Sequence, residues 1–287
     1  MDMLKELIGL ETLWKGTFTS RSSVSSLMAI PQNCLVWDAS SSSRLNILRS
    51  VTQRSDAHTI DDWPLDLPST ASTIAFAERV KTEINRLNVL VENAGMHSPD
   101  WTLCGNHEQA VKINVLKTFL LALMLLSKLR ETRTVFEAHR MTVFPEVNAT
   151  DLYARLKEKE RFRQQPRYRA TGLIGVLFTR ELVLRLEAKR MDTPGAPPVV
   201  TNMAPPLIVR AVQRTLMRTA EVSGRTLVLA ASAPESSHGE FQSDGANQDV
   251  ERWIYTETGK RAQKKVFEQT LSIVEERRPG ISHEAGL

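Results

Sequence analysis

The pattern of apolar positions along the chain switches repeatedly between short continuous runs and longer stripes with helical spacing. The run LNVLV at 87–91 is typical of a strand that is buried on both faces. In the stripes, apolar residues recur every three to four positions, as they do on one face of a helix. The pattern predicts helices at 1–15, 71–85, 109–129, 168–188 and 258–277, and further strands at 33–37 and 199–203.

Strands that alternate with helices of this length form βαβ units, in which helices cover both faces of a parallel sheet. We therefore expect an α/β fold with a doubly wound parallel sheet. In such sheets, ligands bind beyond the carboxyl ends of the strands. Asp66 and the triplet Asn93-Ala94-Gly95 each close a predicted strand. The pattern thus places a candidate binding site at these residues.

The first 59 residues depart from this regular alternation. The segment 17–43 has little helical spacing and contains a run of four serines at 40–43. We therefore divide the chain into an irregular segment at 1–59 and a regular α/β core at 60–287. The two parts are expected to act as a single domain.

Composition narrows the classes of function. The chain has 287 residues, of which 41% are hydrophobic, and a net charge of +4 that is too mild to indicate nucleic-acid binding. The basic run Arg155–Arg169 is more typical of a solvated helix and loop than of a nucleic-acid contact. Cys34 and Cys104 are too few for a disulfide framework, and the six histidines lack metal-binding spacing. We expect neither a metal site nor a nucleic-acid partner.

The same pattern argues against a membrane protein. The longest purely apolar run is Phe119–Leu126, eight residues, whereas a spanning helix needs about 20. The opening residues MDMLKEL carry an acidic residue early and lack a small-residue cleavage site. We therefore expect no membrane partner and a cytoplasmic location.

Several segments of the core, in the correct order, carry a resemblance to one known family. The triplet Asn93-Ala94-Gly95 looks like its strand-end motif, and VKINV at 111–115 looks like the helix that bears its asparagine, here Asn114. The pair RY at 167–168, followed by 172–182, is similar to the helix with its catalytic tyrosine, and segments at 218–228, 237–244 and 259–267 are similar to its C-terminal third. Together these segments, over roughly 60–280, resemble the short-chain dehydrogenase/reductase family, in the type that acts in fungal secondary metabolism.

The resemblance implies a Rossmann-like fold and an activity. The expected reaction is hydride transfer between NADP(H), with NAD possible, and a carbonyl or secondary alcohol of a polyketide-type or similar secondary metabolite. Tyr168 would transfer the proton and Asn114 would support it, as their counterparts do in the family. Asp66, which matches the acidic residue beside the adenine ring, would bind the cofactor with Asn93, Ala94 and Gly95. A homodimer through the two long helices is also implied, because these helices commonly form the oligomer interface in the family.

The N-terminal segment departs from the family pattern. The family opens with a strand and a glycine-rich turn, where the absence of Cβ lets the cofactor pyrophosphate approach the backbone. Residues 18–31 contain no glycine. We therefore interpret the first βα unit as truncated or irregular.

The catalytic positions depart from the pattern as well. The family lysine, one turn after the tyrosine, is replaced by Gly172, and the serine position falls at about Phe136, with Thr134 as the nearest hydroxyl. A tyrosine with a pKa of about 10 is a poor base without a nearby cation. Arg167 and Arg169 flank Tyr168, but neighbours on a helix point about 100° away.

Each candidate residue also has a purely structural interpretation. Asp66 either contacts adenine or caps the following helix, and the triplet at 93–95 either faces a cofactor or forms a tight strand exit. Asn114 either distorts its helix and holds a water or is a satisfied buried amide. The stripe of Leu120, Leu121, Met124 and Leu125 is either core or a dimer face.

The departures leave a second function open. A chain without the glycine-rich turn and the lysine is expected to keep the fold as an inactive scaffold or a non-redox metabolite-binding protein. The survival of Asp66, Asn93, Asn114 and Tyr168 favours the enzyme instead.

Overall fold

The structure is a computed structural model, and it describes residues 34–36, 60–85, 87, 89–92, 95–129, 133–135, 144–188, 237, 240–243 and 246–287. The predicted helix at 1–15, the glycine-free segment 18–31 and the predicted strand at 199–203 lie outside these residues. So do Asn93, Ala94 and Phe136, and of Thr134 only the backbone is described.

The strands of the core pair in parallel, as the alternating pattern predicts. Strand β1 (Cys34–Val36) pairs with β2 (Ile60–Asp62), and β3 (Val89–Val91) pairs with the later strand Arg133–Val135 in a second parallel ladder. The predicted strands at 33–37 and 87–91 are therefore confirmed over Cys34–Val36 and Val89–Val91.

Helix α1 (Thr70–Glu83) follows β2 and confirms the helix predicted at 71–85. Ser69 caps its N-terminus: the Ser72 backbone N–H donates to the Ser69 hydroxyl oxygen at 3.2 Å. The apolar face of α1, with Phe76, Ala77 and Val80, is buried. The helix thereby packs on the core directly beyond the carboxyl end of β2.

Helix α2 (Gln109–Leu129) is preceded by a small hairpin, β4 (Leu103–Cys104) and β5 (His107–Glu108). Gly105 has φ of +64° at the hairpin turn, a conformation that favours glycine. The Glu108 carboxylate caps α2 by accepting from the backbone N–H groups of Ala110 at 2.9 Å and Val111 at 3.2 Å.

The interior of α2 is not a regular α-helix. Its segment Lys112–Lys117 is a π-helix, and the regular α-helix resumes at Thr118–Leu129. By length and composition, α2 is able to cross a membrane, but 78% of its most apolar window is buried inside the protein. This burial is typical of a core helix.

The remaining elements complete the described core. The strand partner of β3 is β6 (Arg133–Val135), and two antiparallel strands, β7 (Phe241–Ser243) and β8 (Ala246–Gln248), follow later in the chain. The helices are α3 (Leu152–Lys157), α4 (Gln164–Ala188), α5 (Glu257–Arg277) and α6 (Ile281–Glu284), with 3₁₀ turns at Pro145–Asn148, Lys159–Arg161 and Arg252–Tyr255. The predicted helices at 168–188 and 258–277 are confirmed, the first with one extra turn at its start.

Three aromatic rings join the three long helices. Phe119 of α2 stacks on Phe178 of α4, with ring centroids 3.8 Å apart, and Phe178 stacks on Phe267 of α5 at 4.7 Å. All three side chains are fully buried. Such stacked pairs add to the free energy gained by burial alone.

The apolar stripe of α2 faces this core. Leu120, Leu121, Met124 and Leu125 are all at most 2% exposed. The interpretation of the stripe as core is therefore confirmed. The homodimer through the long helices stays a prediction.

Replacing the central ring tests how much the stack contributes. Phe178→Ala is expected to lower the free energy of unfolding by about 3–5 kcal/mol, because it removes buried area and leaves a cavity. The matched control is Leu184→Ala on the same helix, where the side chain is 54% exposed and a cost within about 0.5 kcal/mol is expected. Denaturant unfolding measures both values, and equal costs would contradict this account of the core.

Candidate active site

The side-chain amide of Asn114 organises the candidate site. Its Oδ1 accepts from the Met96 backbone N–H at 2.8 Å, and its Nδ2 donates to the Met96 carbonyl at 2.9 Å. The amide therefore pairs with the backbone of the loop after β3 much as a neighbouring strand would. Asn114 lies inside the π segment, so both sequence interpretations hold in part: the helix is distorted, and the amide is satisfied.

The same amide reaches helix α4. Nδ2 of Asn114 also lies 3.3 Å from the Thr171 hydroxyl oxygen, and that hydroxyl donates to the Tyr168 carbonyl at 2.7 Å. One side chain thus fixes the loop after β3 relative to the helical turn that carries Tyr168. This chain of hydrogen bonds brings together two of the predicted site residues, Asn114 and Tyr168.

Gly95 allows the loop to approach α2 closely. A Cβ at this position would lie 3.3 Å from Asn114 Oδ1, tighter than an ordinary van der Waals contact. Gly95 itself is exposed. A glycine at the strand exit therefore leaves an open, backbone-lined surface beside Asn114.

His97 lies against Tyr168. The two rings meet edge to face with centroids 5.2 Å apart, and the Gln164 amide nitrogen lies 3.1 Å from His97 Nδ1. Burial lowers the pKa of His97, which favours the neutral imidazole. If Gln164 donates to Nδ1, the ring proton is on Nε2, a buried atom that makes no hydrogen bond within the described part of the chain.

The position of the family lysine carries no cation. Gly172 lies on α4 one turn after Tyr168. Arg167 does not take its place, because this side chain is 2% exposed and its Nε lies 4.0 Å from the Glu108 carboxylate. Arg169 is exposed. That Arg167 points away from the tyrosine stays a prediction.

Asp66 stands at the start of the turn that leads into α1, and it is exposed. Its backbone N–H donates to the Ser72 hydroxyl at 2.9 Å, while Ser69 provides the helix cap. The interpretation of Asp66 as a helix cap is therefore wrong. Its carboxylate makes no hydrogen bond to a described residue and is accessible to a ligand.

Glu92 follows β3 directly and lies next to the predicted triplet. Both carboxylate oxygens are buried, and neither has a hydrogen-bond partner among the residues that the structure describes. Burial raises the pKa of Glu92 well above its ordinary value. Burial therefore favours the protonated form of this carboxyl group.

Three residues of this network were not predicted from the sequence. His97 was noted only for its lack of metal spacing, and neither Gln164 nor Thr171 stood out. Their signal is positional: His97 lies two residues after Gly95, and the other two lie within one turn of Tyr168. The residue types at these positions do not identify them as part of a site; only the folded structure shows that they lie together.

The chain is similar to several curated fungal proteins, although no protein-family model matches it. It is 27% identical to the short-chain dehydrogenase anuD of Penicillium roqueforti over 263 residues, which are 82% of this chain and 68% of that protein. It is 30% identical to the short chain dehydrogenase atnD of Emericella nidulans over 215 residues, 64% of this chain and 67% of that protein.

Solved structures share the fold. An uncharacterized protein from Mycobacterium paratuberculosis superimposes with a TM-score of 0.56 at 20% identity, covering 85% of this chain and 82% of its own. An NADH-dependent reductase complexed with NAD gives a TM-score of 0.50 at 11% identity, covering 71% and 81%. These likenesses establish a Rossmann-like α/β fold, in agreement with the parallel strand pairs.

The buried carboxyl group of Glu92 predicts a pH dependence of stability. The unfolded chain releases this proton above an ordinary pKa of about 4.3, whereas the folded chain retains it. Stability from this group is therefore present below that pH and is lost as the pH rises. Glu92→Gln is expected to be more stable than the wild type near pH 8, with the difference vanishing near pH 4.5.

Thermal unfolding of both proteins at the two pH values measures the effect. Glu187→Gln, on the exposed end of α4, is the matched control and should show no such pH dependence. A Glu92→Gln difference that does not change with pH would show that the carboxyl group is ionised in the folded protein.

Proposed function

This chain belongs to the short-chain dehydrogenase/reductase family, and on that basis we propose that it is an oxidoreductase that transfers a hydride between NADP(H) and a carbonyl or secondary alcohol. The observation that carries the proposal is the chain of hydrogen bonds from Met96 through Asn114 and Thr171 to the turn that bears Tyr168. Side chains from separate segments converge there, beyond the end of β3. A purely structural core does not require polar side chains from separate segments to meet in this way.

The described residues fit a nicotinamide cofactor, which members of this family use. The Asp66 carboxylate is accessible at the carboxyl end of β2, where it suits the adenine amino group. Gly95 leaves exposed backbone beside Asn114, and His97 Nε2 is a buried polar atom without a described partner. We propose NADP(H) as the cofactor, with Asn93 and Ala94 completing the same edge.

The chemistry divides between the cofactor and the protein. When bound, the nicotinamide cofactor supplies or accepts the hydride. The Tyr168 hydroxyl donates a proton to the substrate oxygen during reduction and accepts one during oxidation. Asn114 holds the loop and α4 in register, which fixes the position of Tyr168. His97, on the edge of the Tyr168 ring, lines the place where the substrate oxygen would bind.

The proposed substrate and metabolic context rest on sequence similarity to the family. The similar segments at 218–228, 237–244 and 259–267 support a small polyketide-type or related secondary metabolite as substrate. The curated relatives that match are fungal, which is consistent with that setting. We further propose a cytoplasmic location and a homodimer, with neither nucleic acid nor a membrane as partner.

One observation favours a second function, a non-redox scaffold that binds a metabolite. Gly172, one turn after Tyr168 on α4, stands where the family has its lysine, and it supplies no charged group. A scaffold would bind the cofactor or a metabolite without turnover. The two functions differ in whether Tyr168 moves a proton.

Removing the Tyr168 hydroxyl tests the oxidoreductase. Tyr168→Phe is expected to lower kcat/KM for NADPH oxidation by about 10²–10⁴-fold, the usual contribution of a positioned acid. The carbonyl probe is phenanthrenequinone, and the readout is the loss of NADPH absorbance. Tyr255→Phe, a 44% exposed tyrosine far from this network in sequence, is the control and should retain activity. A wild-type protein that binds NADPH but never turns over would favour the scaffold.

Restoring a cation tests the role assigned to Gly172. Gly172→Lys places an ammonium one turn after Tyr168, so it should raise kcat about tenfold and move the pH profile toward lower pH. Gly172→Met adds similar bulk without charge and should do neither. If both variants fold and have the same pH profile, the missing lysine does not limit the activity.

A further inference from the structure

A second pocket, which combines cationic side chains with apolar walls from Leu116, Leu120, Ile273 and Val274, lies between the β4–β5 hairpin and helices α1, α2 and α5. None of the residues assigned to hydride transfer lines it. It has a volume of about 130 Å³, room for about four waters at their liquid volume of ~30 Å³. We call it the inner pocket and define it by Thr70, His107, Lys112, Lys117 and Arg277.

Of the charged side chains in the described ranges, the inner pocket is lined by cations and by no carboxylate. Lys112 and Lys117 come from α2, and Arg277 comes from the last turn of α5. The described contacts of the two lysines are with neutral groups: Lys112 Nζ lies 3.3 Å from the Cys104 sulfur, and the Lys117 ammonium donates to the Thr70 hydroxyl. No ion pair joins Arg277 to a carboxylate of the described residues.

Lys117 is held in an energetically unfavourable position, buried among other cations. The residue is only 3% exposed. Burial, together with the neighbouring charges of Lys112 and Arg277, lowers its pKa to about 8, and Cys104 acts weakly in the opposite direction. Like charges brought together out of water oppose folding unless something neutralises them.

A larger pocket adjoins the inner pocket. This outer pocket, of about 440 Å³, shares Asn106, His107 and Arg277 with the inner pocket and adds Lys157, Gln269 and Glu276. The positive charge is therefore concentrated at the inner end, and the outer end offers mixed polar groups. Such a gradient suits a ligand with an anionic head and a neutral polar body.

We propose that the inner pocket binds the phosphate group of a small phosphate monoester, whose organic part extends into the outer pocket. Lys112, Lys117 and Arg277 converge from two helices on a space of the right size. Charge-assisted hydrogen bonds to a dianion would satisfy all three cations at once.

The location of the pocket gives the ligand an effect on the active site. Lys112 and Lys117 are the first and last residues of the π segment, and Asn114 lies between them. A phosphate held by both lysines fixes the two ends of the segment that positions Asn114. The pocket is therefore an effector site rather than part of the reaction.

Calorimetric titration at constant ionic strength tests the binding, with inorganic phosphate and glycerol 3-phosphate as probes and no cofactor present. The wild type is expected to bind both saturably, the monoester at least as tightly. It should take up protons near pH 8, where Lys117 is partly deprotonated, so the enthalpy will depend on the buffer. Lys117→Met should weaken binding at least about tenfold.

The matched control is Lys264→Met, which removes a 64% exposed lysine from α5 and should leave both affinities unchanged. Thermal unfolding separates binding from a structural role. Lys117→Met should raise the melting temperature of the free protein and abolish its increase with phosphate. A lowered melting temperature in Lys117→Met would show that the contact with Thr70 is structural and would overturn the proposal.

Two further results would overturn it. No saturable binding of either probe by the wild type excludes the site, and loss of probe binding with saturating NADP⁺ assigns the pocket to the cofactor. Because the phosphate titrations and the melting temperatures need neither turnover nor cofactor, a failure of the proposed oxidoreductase activity leaves them unaffected.

Discussion

The stack of Phe119, Phe178 and Phe267 holds together the three helices that carry Asn114, Tyr168 and the cations of the inner pocket. Helix α2 carries Asn114 and the pocket lysines, α4 carries Tyr168, and α5 carries Arg277. Close-packed aromatic contacts tolerate little displacement. The hydrogen bonds of Asn114 and the inner pocket therefore share one rigid support.

Much of this arrangement could be predicted from local sequence signals. The cap at Ser69 and the apolar spacing of α1 gave correct bounds to within two residues at each end, because capping and periodicity are local properties. The π segment could not be predicted in the same way, since one extra residue per turn hardly changes the apolar spacing. His97 and Thr171 depend on contacts between segments distant in sequence, and only the fold reveals those.

The site keeps the asparagine that positions the tyrosine helix but lacks the family's lysine. Asn114 still joins the strand-end loop to the tyrosine helix, yet Gly172 supplies no cation, and the buried Arg167 Nε lies 4.0 Å from the Glu108 carboxylate. The position of the family lysine is occupied by uncharged Gly172, whereas Lys112, Lys117 and Arg277 gather around another pocket. In the family, the positioning asparagine and the cation act on the same tyrosine. In this chain, Asn114 lies beside the tyrosine helix, and the cluster of cations lines a separate pocket.

The central claim is that this Rossmann-like fold binds a nicotinamide cofactor at the edge formed by Asp66 and Gly95. Nicotinamide fluorescence, followed as the protein is titrated into NADPH and into NADH, measures this directly for the wild type and for Asp66→Ala. The account predicts saturable binding with a dissociation constant in the micromolar range, weakened about tenfold by Asp66→Ala. No fluorescence change at cofactor concentrations of about 1 mM would contradict it.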